Sequence, residues 1–155
     1  MPLTNFPQGV SSFGVPQIGA PGQIPVTFGN YYYVSSVKGN SAYNGTDPTT
    51  PVATIMQAHA KCQATSSTQP YSDVIVCLPG HAETITSVGA ITISKEGVQV
   101  VGIGNGSKQP RITMTTAATT NILMTAANTA LIGLRITAGY ADITAAIVTS
   151  AADVV

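Results

Sequence analysis

Gly97–Ile103 reads GVQVVGI, and 31 residues further on Asn128–Leu134 reads NTALIGL. Laid on each other, the two segments place a turn-forming residue first, then apolar residues at alternate positions, then a glycine and a final aliphatic residue. Self-similarity at 20 to 50 residues marks repeat architectures, in which each repeat buries its apolar face only against its neighbours. A third, shorter match sets Ala152–Val155 on Asn128–Leu131 at an offset of 24. The insertion NGSKQP at Asn105–Pro110 accounts for the longer of the two repeats as a loop projecting from one corner.

Working outward, the residues after Tyr71 break into short β-branched and aliphatic runs between Gly, Asn, Pro or Ala-Thr turns. These are VIVCL, AITIS, VQVVGI, RITM, NILMT, ALIGLRIT and AIVTS. The expected fold is therefore all-β, a parallel β-helix whose strands bond to the coils above and below. Ile, Val, Leu and Met point inward, and Thr lines the outer faces. YYYVSSV at Tyr31–Val37 reads as a further strand, with Tyr31 and Tyr33 on one face and Tyr32 on the other. Before VIVCL lies TPVATIMQAHAKC. Thr50 offers an N-cap hydroxyl, Pro51 suits a first helical position, and Val52, Ile55, Met56 and His59 recur at helical spacing, so a helix over about 51–62 is expected. A short amphipathic helix is a natural cover for the open apolar end of a coil stack, and those four residues are its expected core contacts. At the far end Val154-Val155 would begin a coil without completing it, so the chain is expected either to continue beyond the residues given or to meet a partner there.

Residues 1–30 differ from the rest. Pro2, Pro7, Pro16, Pro21 and Pro25 exclude helix and central strand, yet Phe6, Val10, Phe13, Val15, Ile18 and Ile24 supply more apolar surface than a solvated linker carries. The expectation is an extended arm over 1–30 that lies on a neighbouring surface through those six residues, followed by the β-helix over 31–155.

Six Lys and Arg balance six Asp and Glu, and charged residues make up 8% of the chain against about 25% in ordinary globular proteins. So neutral a surface favours assembly. The cations are spread singly along the sequence, which argues against nucleic acid, and no apolar run reaches the ~18 residues of a membrane span. No basic-then-apolar leader opens the chain. Asp47, Asp73, Glu83, Glu96, Asp142 and Asp153 stand about one per segment, without the paired carboxylates that glycosidic or lyase chemistry requires, so no catalytic residues are expected. Glu83, in PGHAET, is read as a structural acceptor of backbone N–H groups. His59 and His81 lack a third metal ligand at fixed spacing, Cys62 and Cys77 form no ligand or redox motif, and neither metal nor cofactor is expected.

The order LTNFPQGVSSFGVP, NGTDPTTPVATIMQAHAKC, DVIVCLPGHAETIT resembles virion proteins of tailed bacteriophages built on a pectate-lyase-like right-handed β-helix. The most specific parts are Thr50–Ile55 and Leu78–Glu83, and the resemblance covers most of the chain. It implies a decoration or cement protein on the outer surface of the capsid, a homotrimer that binds the major capsid protein through its arm and neutral faces. The alternative within the same resemblance is a tail-spike or fibre component that binds or cleaves host glycans. The lyases' catalytic residues do not carry over, because no matching acidic cluster is present.

Overall fold

The computed structural model describes residues 11–12, 15–16, 27–65, 71–152 and 154–155. Two short segments of the arm, β1 (Ser11–Ser12) and β2 (Val15–Pro16), pair antiparallel. Then come β3 (Tyr31–Val34), α1 (Ile55–Lys61), β4 (Val74–Cys77), β5 (Ala82–Ile85), β6 (Val88–Ile93), β7 (Gln99–Gly102), β8 (Arg111–Met114), β9 (Asn121–Met124), β10 (Ala130–Ile132), β11 (Arg135–Ala138) and β12 (Ile147–Thr149). They form three sheets: a first in the order β10-β7-β4-β3, a second β11-β8-β5 and a third β12-β9-β6. Every pairing within these sheets is parallel. From β4 onward the chain visits first, second and third sheet in that order, three times over.

Side chains from the three sheets share one interior. In the first sheet Ile75 pairs with Val100, in the second Ile85 with Met114, and in the third Ile91 with Ile122 and Ile93 with Met124. All are essentially inaccessible to water. Burying aliphatic side chains in this way contributes about 1.5–3 kcal/mol each and supplies the main favourable term. The first sheet is buried on both faces: Val74, Val76, Val101 and Tyr33 form a second cluster on the side opposite Ile75 and Cys77. The tyrosine triplet divides as alternation requires, with Tyr32 against the main core and Tyr31 and Tyr33 in the second cluster.

The offset of 31 is the observed register, since Gln99 pairs with Ala130 and Val100 with Leu131. Gly97 and Asn128, which open the two repeats, both adopt left-handed backbone, the conformation that glycine and asparagine reach most easily. The shorter match is displaced by one residue. Val155 donates its N–H to the Thr129 carbonyl and accepts from the Leu131 N–H, which sets Val155 rather than Val154 opposite Ala130. A bulge between Val88 and Ile91 lengthens the third sheet's repeat; Gly89, at φ 63°, makes that bend and donates to Asn121 Oδ1.

Several further details refine or depart from expectation. The strand at Tyr31 ends at Val34, and ALIGLRIT is two strands on different sheets, separated by Gly133-Leu134. AETI, not among the runs read as strands, is β5. The loop Asn105–Pro110 contains one 3-10 turn, Gly106–Lys108. The helix begins at Ile55, capped by Thr54 rather than Thr50. Pro51 and Val52 lie outside it because Val52 bridges the free edge of β3, donating to the Tyr33 carbonyl and accepting from the Ser35 N–H. Thr54 and Gln57 form a reciprocal capping box instead.

Candidate functional site

The α1 end of the sheets concentrates the interior's ionisable groups. Val52, Ile55, Ala58 and Cys62 enter the main core, Met56 packs against it half-buried, and His59 is buried. Each end of the helix meets a charged side chain from the sheets. At the N-terminus the Ile55 N–H donates to Glu83 Oε2 at 3.0 Å. At the C-terminus the Lys95 ammonium donates to the carbonyls of His59, Ala60 and Cys62 at 2.7, 3.1 and 2.6 Å. An anion at the first turn and a cation at the last both oppose the helix dipole, and they satisfy groups that a helix leaves without internal partners.

Glu83 reaches the helix because it occupies the interior-facing position of β5, in register with Ile112 of β8. Behind it lies His81, held by the Leu78-Pro79-Gly80-His81 turn, which the His81 N–H closes onto the Leu78 carbonyl with Gly80 at φ 81°. That geometry answers why Pro-Gly follows VIVCL: it is a type II turn carrying the chain from the first sheet to the second. Ser36 N–H donates to His81 Nδ1 at 3.0 Å, so the ring proton sits on Nε2, which faces Glu83 Oε2 at 3.3 Å. Ser36 in turn accepts from the Ala82 N–H through its hydroxyl.

The edge of the third sheet is closed in the same manner. Thr92 N–H donates to Met56 Sδ and Ser94 N–H to His59 Nε2. Burial, reinforced by the nearby Lys95 ammonium, pulls His59 below its ordinary value of 6.5. The neutral ring is the form that accepts from Ser94, and a depressed histidine binds fewer protons folded than unfolded. Stability from this residue is therefore complete above pH 6.5 and is lost as pH falls from there toward the lowered folded value. Thermal unfolding measured between pH 7.5 and 5, at values chosen for the experiment on the scale of histidine titration, should show a falling midpoint in the wild type. His59→Gln keeps an acceptor for Ser94 and should flatten that dependence; an unchanged slope would assign it elsewhere.

The thiols are not available as nucleophiles. Burial pushes Cys62 up to about 12, with Asp73 adding to the rise. Cys77 is raised further, mainly by complete burial and secondarily by Glu83. The structure does not bring His59 and His81 together: each is engaged by a different backbone N–H. Among the described residues no three His, Cys, Asp or Glu side chains converge as metal ligands, and no helix is long and apolar enough to cross a membrane.

A second node was not visible in the sequence. Asp73, fully buried, accepts from the Asn30 N–H at 2.7 Å and the Asn30 side-chain amide at 3.3 Å through Oδ1, and from the Gln63 N–H at 2.7 Å through Oδ2. It joins the segment leaving the arm, the segment leaving α1 and the start of β4. Beside it Thr27 Oγ1 donates to the Ser72 carbonyl, and the Phe28 and Tyr71 rings pack with centroids 5.4 Å apart. Of the arm residues expected to make partner contacts, Val15 falls in β2, while Phe6, Val10, Phe13, Ile18 and Ile24 lie outside the described residues. Asp73 and Lys95 carry no local signature, because their partners are 10 to 43 and 33 to 36 residues away.

No protein-family model matches the chain, and neither a curated protein nor a solved structure matches it.

Proposed function

We propose that the chain is a three-sided right-handed parallel β-helix serving as a structural virion protein of a tailed phage. In this reading it decorates the outer surface of the capsid as a homotrimer, binding the major capsid protein through residues 1–30 and its neutral faces, without catalytic activity. The fold part of the reading is supported by the threefold passage through three parallel sheets. The role is carried by one observation: the interior's ionisable side chains are spent on backbone groups that close the α1 end. Glu83 and Lys95 hold the helix termini, His59 and His81 accept strand-edge and loop N–H groups, and Asp73 holds the root of the arm. With charged residues at 8% of the chain and Asp73, Glu83 and Lys95 held on backbone groups, the protein offers a stiff body of low charge with a tether fixed to its side, which suits adhesion over area better than chemistry in a cleft.

Deleting residues 1–23 tests this reading, because the anchor at residues 27–30 remains. The truncated protein should keep its far-UV CD spectrum and cooperative unfolding while losing sedimentation with capsids. Retained attachment would reject the arm as the tether. Recovery of the intact protein on isolated tails but not on heads would transfer it to the spike class.

A further inference from the structure

Two of the six basic residues, Arg111 and Arg135, stand side by side, although they are 24 residues apart in sequence. Arg111 and Arg135 are register partners at the first positions of β8 and β11. Alternation that buries Ile112 and Met114 turns Arg111 to the outer face of the second sheet, and Arg135 leaves the same face one ladder spacing, ~4.8 Å, away. Both are exposed. Among the described residues neither guanidinium has an acidic partner within ion-pair distance, the one pair being His81 with Glu83. Like charges opposite each other on neighbouring strands repel, so the pairing costs stability unless a counter-charge joins it.

Beside the two guanidiniums lies a cavity of about 110 Å³. Gly80, Ala82, Ser107 and Gln109 line it with the arginines, and no carboxylate does. The third member of the arginine row, on β5, is Ala82, so the row opens into space rather than onto another long side chain. The wall is fixed from two neighbouring turns: Gly80 N–H donates to the Lys108 carbonyl at 2.7 Å, and the Gln109 side-chain amide donates to the Gly133 carbonyl at 3.4 Å. His81 also borders the cavity, but its ring nitrogens are engaged by Ser36 and Glu83. The space has room for several waters, enough for one small oxyanion.

We infer that this cavity binds a single small oxyanion, a carboxylate, sulfate or phosphate group, held between the Arg111 and Arg135 forks with Ser107 and Gln109 at its rim. Guanidinium presents paired N–H donors in the plane that such groups match, which a lysine cannot reproduce. The inference stands apart from the virion reading, since any anionic group of that size satisfies it.

The test is a titration of the ¹⁵N-labelled full chain with sodium phosphate, sulfate and acetate, each at constant ionic strength against chloride. Saturable amide shifts confined to Gly80, Ala82, Gly106, Ser107, Gln109 and Arg111 are expected. A preference for acetate would identify a carboxylate as the natural ligand, and a preference for phosphate or sulfate a tetrahedral anion. Arg111→Gln and Arg135→Gln should each weaken binding about tenfold or more, the scale of one charge-assisted hydrogen bond. Arg135→Lys keeps the charge without the fork and should lose several-fold. Both side chains are exposed and either glutamine variant relieves their mutual repulsion, so thermal midpoints that are unchanged or slightly raised should accompany these losses, and the lysine variant serves if a glutamine variant fails to fold. Shifts that stay linear, that chloride reproduces, or that survive in both glutamine variants would overturn the site.

Discussion

Replacing Ile55 by aspartate is expected to leave no cooperatively folded protein. Ile55 is fully buried at the first position of α1, packed in the main core with Val34 and Ile75. Losing the isoleucine alone removes about 1.5–3 kcal/mol of transfer free energy, before any term for the space left behind. The new carboxyl would then enter an apolar site whose backbone N–H is already bound to Glu83, so no counter-charge awaits it and the like charge of Glu83 is adjacent. Kept ionised it meets a desolvation penalty far beyond what a domain can absorb, and kept neutral it still leaves a buried polar group at a cost of about 1–3 kcal/mol. Set against the 5–15 kcal/mol net stability typical of a domain, a loss of roughly 5 kcal/mol or more removes most of it. Aggregation should accompany unfolding, because displacing α1 strips the Thr92 and Ser94 N–H groups of their acceptors and opens the edge of the third sheet. Size exclusion and urea unfolding followed by CD would read both effects. Ile55→Val is the control and should cost about 1 kcal/mol with the protein still monodisperse. A soluble, cooperative Ile55→Asp protein would show that α1 does not close the sheets.

The features legible in the sequence were those set by local periodicity. β-branched runs located most of the strands, and GVQVVGI over NTALIGL supplied the register of the first sheet because a left-handed residue opens both repeats. β5 was hidden for a physical reason. Its interior row opens with Glu83, not an aliphatic residue, because at the capped end that position faces a helix N-terminus and a histidine. AETI therefore breaks the apolar alternation by which a strand is recognised. Two signals compete for the start of α1. Thr50-Pro51 is a sound helix opening locally, but the unpaired edge of β3 takes Val52, and the helix can begin only after it. Thr54 with Gln57 three residues later was the signal that identifies the true start. The arginine pair was also partly legible, since Arg-Ile-Thr occurs at both 111 and 135. A repeat brings equivalent positions side by side, so cations spread singly along the sequence can still meet in the fold.

Asp73 should rank next in effect after Ile55, and its three bonds allow a graded test. Asp73→Ala removes acceptors for the Asn30 N–H, the Asn30 amide and the Gln63 N–H at once. Charge-assisted bonds of this kind contribute about 1.5–3 kcal/mol each, but Asn30 and Gln63 lie at the surface, where water recovers part of the loss, so a net cost of about 2–4 kcal/mol is expected. Asp73→Asn keeps one carbonyl oxygen and presents an NH₂ where the second acceptor stood. One donor stays satisfied, the other faces a donor, and the expected cost is about half as large. Amide exchange separates this account from a general loss of packing: in Asp73→Asn, protection should fall at Asn30 or Gln63 while Val76 and Val100, inside the first sheet, keep theirs. Uniform loss across all four would mean that Asp73 supports the core rather than the junction. A cost near zero for Asp73→Ala would assign the root of the arm to the Thr27–Ser72 bond and the Phe28–Tyr71 contact instead, and would remove the carboxylate from the mechanism by which the tether is held to the body.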